Sequence, residues 1–129
     1  MIARYTRPGM GKIWIEENRF RNMLIVEKAV AKAQAELKLI TRAAALAIEK
    51  KGRFKIEKIN EIEAVTKHDV IAFVSNVAES VGEWGRFVHF GMTSSDVLDT
   101  ALSLQIRDAG VELTKTLAKY KMELRKLIR

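Results

Sequence analysis

Thr93, Ser94 and Ser95 stand directly before Asp96 and shortly after Gly91. Hydroxyl side chains ahead of a helix can do two things. They can cap it, accepting one of the backbone N–H groups left open in its first turn. They can also join those N–H groups in holding an anion, because the helix start carries partial positive charge. A carboxylate or a phosphate would fit such a seat. The residues leave both readings open: Ser94 or Ser95 as a plain cap, with Asp96 and Asp99 favourably placed near the positive end, or the string as an anion seat.

Three further groups carry chemical potential. Lys67-His68-Asp69 stands at a second helix start. His68 there suits contact with an anion or movement of a proton, and equally a hydrogen bond to nearby backbone. His89 lies beside Arg86 in a stretch bounded by Gly85 and Gly91, and reads either as a phosphate contact or as a half-buried ring between Val88 and Phe90. Arg4-Tyr5 pairs a guanidinium with an aromatic ring, which suits a nucleotide, although an arm that tacks the N-terminus to the surface uses the same residues. No metal site is expected. Cysteine is absent and the only two histidines are 21 positions apart, which does not make a zinc site. No phosphate loop, dinucleotide fingerprint or nucleophile elbow appears.

Helices must position these groups. Phe20, Met23, Val26, Val30, Ala33 and Leu37 recur at steps of three and four, as do Val70, Phe73, Val74, Val77 and Val81. Thr41 reads as the N-cap of an alanine-rich helix ending near Gly52, and Ile56, Ile59, Ile62 and Val65 mark another. The arm before Gly11 reads as irregular. Residues 83–93 read as a loop whose Arg86–Phe90 part is briefly extended. From Ser95 onward, Leu98, Leu102, Ile106, Ala109, Leu113, Leu117, Tyr120, Leu124 and Leu127 form one apolar stripe with no stop signal before Arg129. A stripe that long needs a partner. The expectation is an all-α chain: a helical domain over residues 1–94, then a long helix over 95–129 that continues in a parent protein or packs on copies of itself.

The chain has 129 residues, 48% hydrophobic and 30% charged, with a net charge of +7. That supports one globular core rather than disorder. No apolar run is long enough to span a membrane, and the first residues lack the apolar core of a signal peptide. The lack of cysteine fits the cytoplasm. The basic balance suits anionic partners. The basic residues are dispersed among acidic ones without a stacking platform, so nucleic acid is not expected.

Four strings, taken in order, resemble the N-terminal region of the adenylosuccinate lyase family, a branch of the fumarase and aspartase superfamily. They are Met1–Pro8, Trp14–Phe20, Lys67–Val70 and His89–Ala101, and the resemblance covers essentially the whole chain. It implies β-elimination of fumarate from adenylosuccinate, giving AMP, and from SAICAR, giving AICAR, in purine biosynthesis, with no cofactor. It implies that Arg4 and Tyr5 contact the nucleotide and that Lys67, His68 and Asp69 line the pocket. Thr93 and Ser94 would bind a succinyl carboxylate, with His89 near the phosphate and Ser95 left as a cap. Lys67 departs mildly from the family pattern. Family members are much longer, and their general acid (a histidine) and general base (a serine on a mobile loop) would lie beyond Arg129. The resemblance therefore implies a truncated chain with no catalytic residue of its own, inactive alone. It also implies a homotetramer assembled through a helical bundle whose first strut is the last helix. Two competing readings are another lyase or cycloisomerase of the superfamily and a non-catalytic helical interaction module.

Overall fold

The computed structural model describes residues 2–128. Among these there are six α-helices and no strand: α1 (Pro8–Ile13), α2 (Glu16–Glu36), α3 (Arg42–Lys51), α4 (Ile56–Thr66), α5 (Asp69–Val81) and α6 (Ser94–Leu127). Short 3-10 turns occupy Ala3–Tyr5 and Gly82–Phe87. The all-α expectation holds. No described helix is long and apolar enough to cross a membrane.

Capping explains the starts of α3, α5 and α6. Thr41 Oγ1 accepts the Ala44 N–H at 3.1 Å and starts α3, as its position suggests. α2 ends without a glycine. Lys38 takes a left-handed conformation, and the Leu39 N–H reaches back to the Gln34 carbonyl at 2.9 Å. The connector into α4 is held by α5: the Lys55 N–H donates to Asn76 Oδ1 at 2.9 Å and the Arg53 N–H to Ser80 Oγ at 3.1 Å.

The core gathers on α2 and α5. The Phe20 and Phe73 rings stack with centroids 5.6 Å apart, and Phe54 tilts against both. Met23, Ile48, Ile59, Val77, Val81 and Val97 are fully buried around them. Each such side chain contributes about 1.5–3 kcal/mol on leaving water.

Four expectations are corrected. The N-terminal arm is not irregular throughout: Pro8 sits in the first turn of α1, where its missing N–H costs nothing. Residues 83–93 are not a loop with an extended centre. They begin as the 3-10 turn Gly82–Phe87, which lies so close to α5 that a Cβ on Gly85 would collide with the Ala78 carbonyl oxygen. On α2 the buried line leaves Val30 half-covered and Ala33 and Leu37 exposed, and passes instead through Asn22, Glu27 and Ala31.

The fourth correction concerns α6, which starts at Ser94 and so one residue earlier than the boundary at 95. Its packed face is Val97, Ala101, Gln105 and Ala109, against α2 and α1. The stripe read from sequence shares only Ala109 with that face, with Leu98 at its edge. Leu102, Ile106, Leu113, Leu117 and Tyr120 are 45–64% exposed. Gln105 Nε2 donates to the Ile13 carbonyl at 2.7 Å, and residues 89 and 90 bond to Glu27 and Gln34. α6 therefore runs antiparallel to α2.

Candidate functional site

α2 is the rail on which the candidate residues hang. Near its start, Arg19 places its guanidinium 3.7 Å from Asp69 and 4.8 Å from the Phe20 ring centroid. Asp69 opens α5 and its Oδ1 also accepts the Val70 N–H at 2.8 Å. His68 is the N-cap of α5, and its Nδ1 accepts the Ile71 N–H at 3.3 Å. The backbone-bonded reading of His68 therefore holds, with the side chain as a whole 44% exposed.

Lys67 terminates α4 in a left-handed conformation, φ 53°, with its N–H on the Glu63 carbonyl at 2.8 Å. The described non-glycine residues with positive φ are Lys38, Lys67 and His89. Two of these three are candidate site residues, and strained backbone concentrates where a site is held in place. A lysine in that conformation costs roughly 1–2 kcal/mol, while glycine there costs about 0.5–1 kcal/mol in unfolded-state entropy. Lys67→Gly is therefore expected to stabilise the fold by roughly 0.5–1 kcal/mol, read from the midpoint of urea unfolding. A loss of stability would show that the Lys67 side chain has a structural role.

Two turns further along α2 sits Glu27, 2% exposed. Its Oε2 accepts the His89 backbone N–H at 2.8 Å, and its Oε1 lies 2.7 Å from His89 Nδ1. Gln34 Nε2 donates to the Phe90 carbonyl at 2.6 Å. Gly91 follows at φ 68°, a turn that leads straight to Thr93. His89 is thus a half-buried ring, held from one side.

Thr93, not Ser94 or Ser95, is the N-cap of α6. Asp96 Oδ2 accepts the Thr93 N–H at 2.8 Å, forming a capping box with it. Ser95, expected as the cap, is instead inside the first turn. The correction has a simple cause: the box needs an acceptor three residues after the cap, and Asp96 stands at that spacing only from Thr93. The helix is closed off by Thr93 and Asp96, and the Ser94 hydroxyl makes no hydrogen bond within the described residues.

Arg4 and Tyr5 stack on each other, guanidinium to ring centroid 4.8 Å, with Tyr5 73% exposed. Their arm leads into α1, where Gly9 abuts the Glu112 carboxylate. Glu112 lies eighteen residues, about 27 Å of helix rise, from Ser94.

The chain therefore brings together two clusters and leaves a third apart. His68 and Asp69 sit at Arg19, while His89, Thr93 and Ser94 sit beyond Glu27, about 12 Å further along α2. The Arg4–Tyr5 pair is anchored elsewhere. The clearest surface cavities do not collect these residues; of the eight, only Lys67 lines one, with Asn60 and Glu63. No metal-binding group of acidic or histidine side chains exists among the described residues. The sequence reading missed Arg19, Glu27 and Gln34. Glu27 shares its buried line with Asn22, so no apolar pattern marks it.

A family model described as lyase matches residues 1–128. The chain belongs to that lyase family. An adenylosuccinate lyase from Aquifex aeolicus is 51% identical over 98% of this chain and 30% of its own length. One from Synechocystis is 55% identical over 82% of this chain and 25% of its own length. The chain thus spans about a quarter to a third of these relatives. Among solved structures, a fumarate lyase from Mesorhizobium matches 77% of this chain and 24% of its own, with a TM-score of 0.68 at 28% identity. The all-α architecture is that of this family.

Proposed function

We propose that this chain is the substrate-positioning part of an adenylosuccinate lyase, acting in purine biosynthesis in the cytoplasm. The observation that carries the reading is the His89–Ser94 segment, clamped to α2 by Glu27 and Gln34 and ending at the Thr93–Asp96 cap of a 34-residue helix, where the Ser94 hydroxyl has no partner among the described residues. The identity to curated adenylosuccinate lyases, 51% and 55%, favours this branch over other lyases of the superfamily. The substrates are adenylosuccinate and SAICAR, and the products AMP or AICAR and fumarate.

In this reading Thr93 and Ser94 hold a succinyl carboxylate at the helix start, and His89 lies near the phosphate. Lys67, His68 and Asp69 line the pocket, and Arg4 and Tyr5 meet the nucleotide after parting from each other. Elimination removes a proton from Cβ, breaks the carbon–nitrogen bond and returns a proton to the leaving nitrogen. None of the eight residues is assigned the acid or the base. Their contribution is orientation and neutralisation of substrate charge. The exposed stripe on α6 is the surface through which copies assemble.

Two measurements test this. The purified chain is expected to show no turnover of adenylosuccinate by absorbance; measurable turnover would place an acid and a base within these residues and overturn the division of labour. Adenylosuccinate is expected to shift amide resonances at Thr93, Ser94 and His89, with the Ser94 shift lost in Ser94→Ala. Shifts confined to other residues would remove the proposed seat.

A further inference from the structure

A histidine serves a site through one ring nitrogen, and the partner of the other nitrogen decides where the proton sits. The two histidines of this chain have opposite partners. His68 Nδ1 faces a backbone N–H, that of Ile71, at 3.3 Å. An amide only donates, so Nδ1 must be bare and the ring proton lies on Nε2. His89 Nδ1 faces Glu27 Oε1 at 2.7 Å. The other oxygen of this carboxylate already accepts the His89 backbone N–H, and an ionised carboxylate only accepts, so the proton between them belongs to Nδ1.

We propose that Glu27 is a positioning residue that locks His89 in the Nδ1–H form, opposite to His68, so that the neutral rings present a lone pair from His89 Nε2 and a donor from His68 Nε2.

Three observations make the lock stringent. The carboxylate is buried, and both of its oxygens are used by one residue, the ring through Oε1 and the backbone N–H through Oε2. Turning the ring over would set a C–H against Oε1 and leave a buried charge with one donor fewer. The backbone of His89 is itself fixed, at φ 62°, and the next carbonyl is tied down by Gln34. Glu27 and Gln34 are seven residues apart, about two turns, and so project from one face of α2. The exchangeable proton position of His89 is therefore Nε2, with every fold contact kept. At His68 the corresponding atom is Nδ1, which already holds the α5 cap. Its nearest carboxylate oxygen, Asp69 Oδ1, is 3.9 Å away, beyond hydrogen-bond reach.

The use of these nitrogens toward substrate rests on the lyase reading above. The proton positions do not, and ligand-free nitrogen-15 NMR of the two rings tests them separately in the intact chain. At alkaline pH, with both rings neutral, His89 is expected to show a bare Nε2 and a protonated Nδ1, and His68 the reverse. In Glu27→Gln, one amide oxygen replaces two carboxylate oxygens. Both His89 nitrogens should then move toward averaged values, while His68 stays put. Gln34→Ala removes a clamp on the same loop without touching the ring, and should leave both patterns as in wild type. A wild-type His89 that is averaged or protonated on Nε2 would overturn the proposal, whether or not the variant folds. So would a Glu27→Gln spectrum identical to wild type, or a Gln34→Ala spectrum displaced as far as that of Glu27→Gln. If adenylosuccinate fails to bind, the tautomer result stands unaffected.

Discussion

Replacing Phe73 by alanine is expected to cost about 3–5 kcal/mol, from the deleted ring and the cavity it leaves. Phe73 is fully buried and stacks on Phe20, with Phe54 leaning on both. Losing that aromatic pair removes about 0.5–1.5 kcal/mol beyond the area term. Relaxation cannot close the gap cheaply, because the hole would open between α2 and α5, which also carry the candidate residues. Domains of this size have total stabilities of about 5–15 kcal/mol, so the variant should be partly or wholly unfolded at 25 °C by circular dichroism. Val65 gives the contrast. It belongs to the isoleucine stripe of α4 by sequence, yet it is 82% exposed, and Val65→Ala should stay within about 0.5 kcal/mol of wild type. Equal losses at the two positions would contradict a core centred on Phe20 and Phe73.

The contrast between Phe73 and Val65 shows what apolar spacing can and cannot say. Periodicity locates α4 and α5 within a residue or two, and the Thr41 cap with Gly52 does the same for α3. Periodicity placed α2 correctly but drew its stripe straight. Val26 and Glu27 are neighbours in sequence and both are buried, because α2 is covered by both α3 and α6 and meets α5 through the Phe20–Phe73 stack. A hydrophobic pattern cannot report a buried glutamate. The end of α2 at Lys38 was invisible for another reason: the left-handed turn is occupied by lysine, not by the glycine that usually marks it.

The candidate site was legible residue by residue and illegible as an arrangement. Thr93–Asp96 announced a helix start, and the resemblance to a known family gave the string a ligand. Which hydroxyl caps and which is left open depends on the three-residue spacing to Asp96, which selects Thr93 over Ser94 and Ser95. By sequence His68 and His89 read alike, each either as an anion contact or as a ring held by the fold. Their difference lies in contacts from Ile71 and Glu27, and the second spans 62 positions of sequence. Long-range pairs of that kind have no local signature.

The exposed face of α6 carries the second large effect. Leu113 and Leu117 are 55% and 64% exposed, and from residue 110 onward few side chains of α6 are covered by the rest of the chain. An unsupported helix of that length is marginal in water. Burying the stripe against other copies supplies about 1.5–3 kcal/mol for each leucine that leaves water, which suffices to order the segment. The wild-type chain is therefore expected to sediment at micromolar concentration as an oligomer, with slow amide exchange through residues 110–127. Leu113→Glu with Leu117→Glu sets two charges, four residues apart, onto the same face. Burying them unpaired costs more than the leucines contributed, so the double variant should sediment as a monomer, with apparent affinity reduced by at least about a thousandfold, the equivalent of roughly 4 kcal/mol. Exchange should quicken beyond Gly110 and remain slow at Val97 and Ala101, which pack inside the chain. A wild-type monomer whose residues 110–127 exchange slowly would show that the helix needs no partner, and would remove the assembly role proposed for this face.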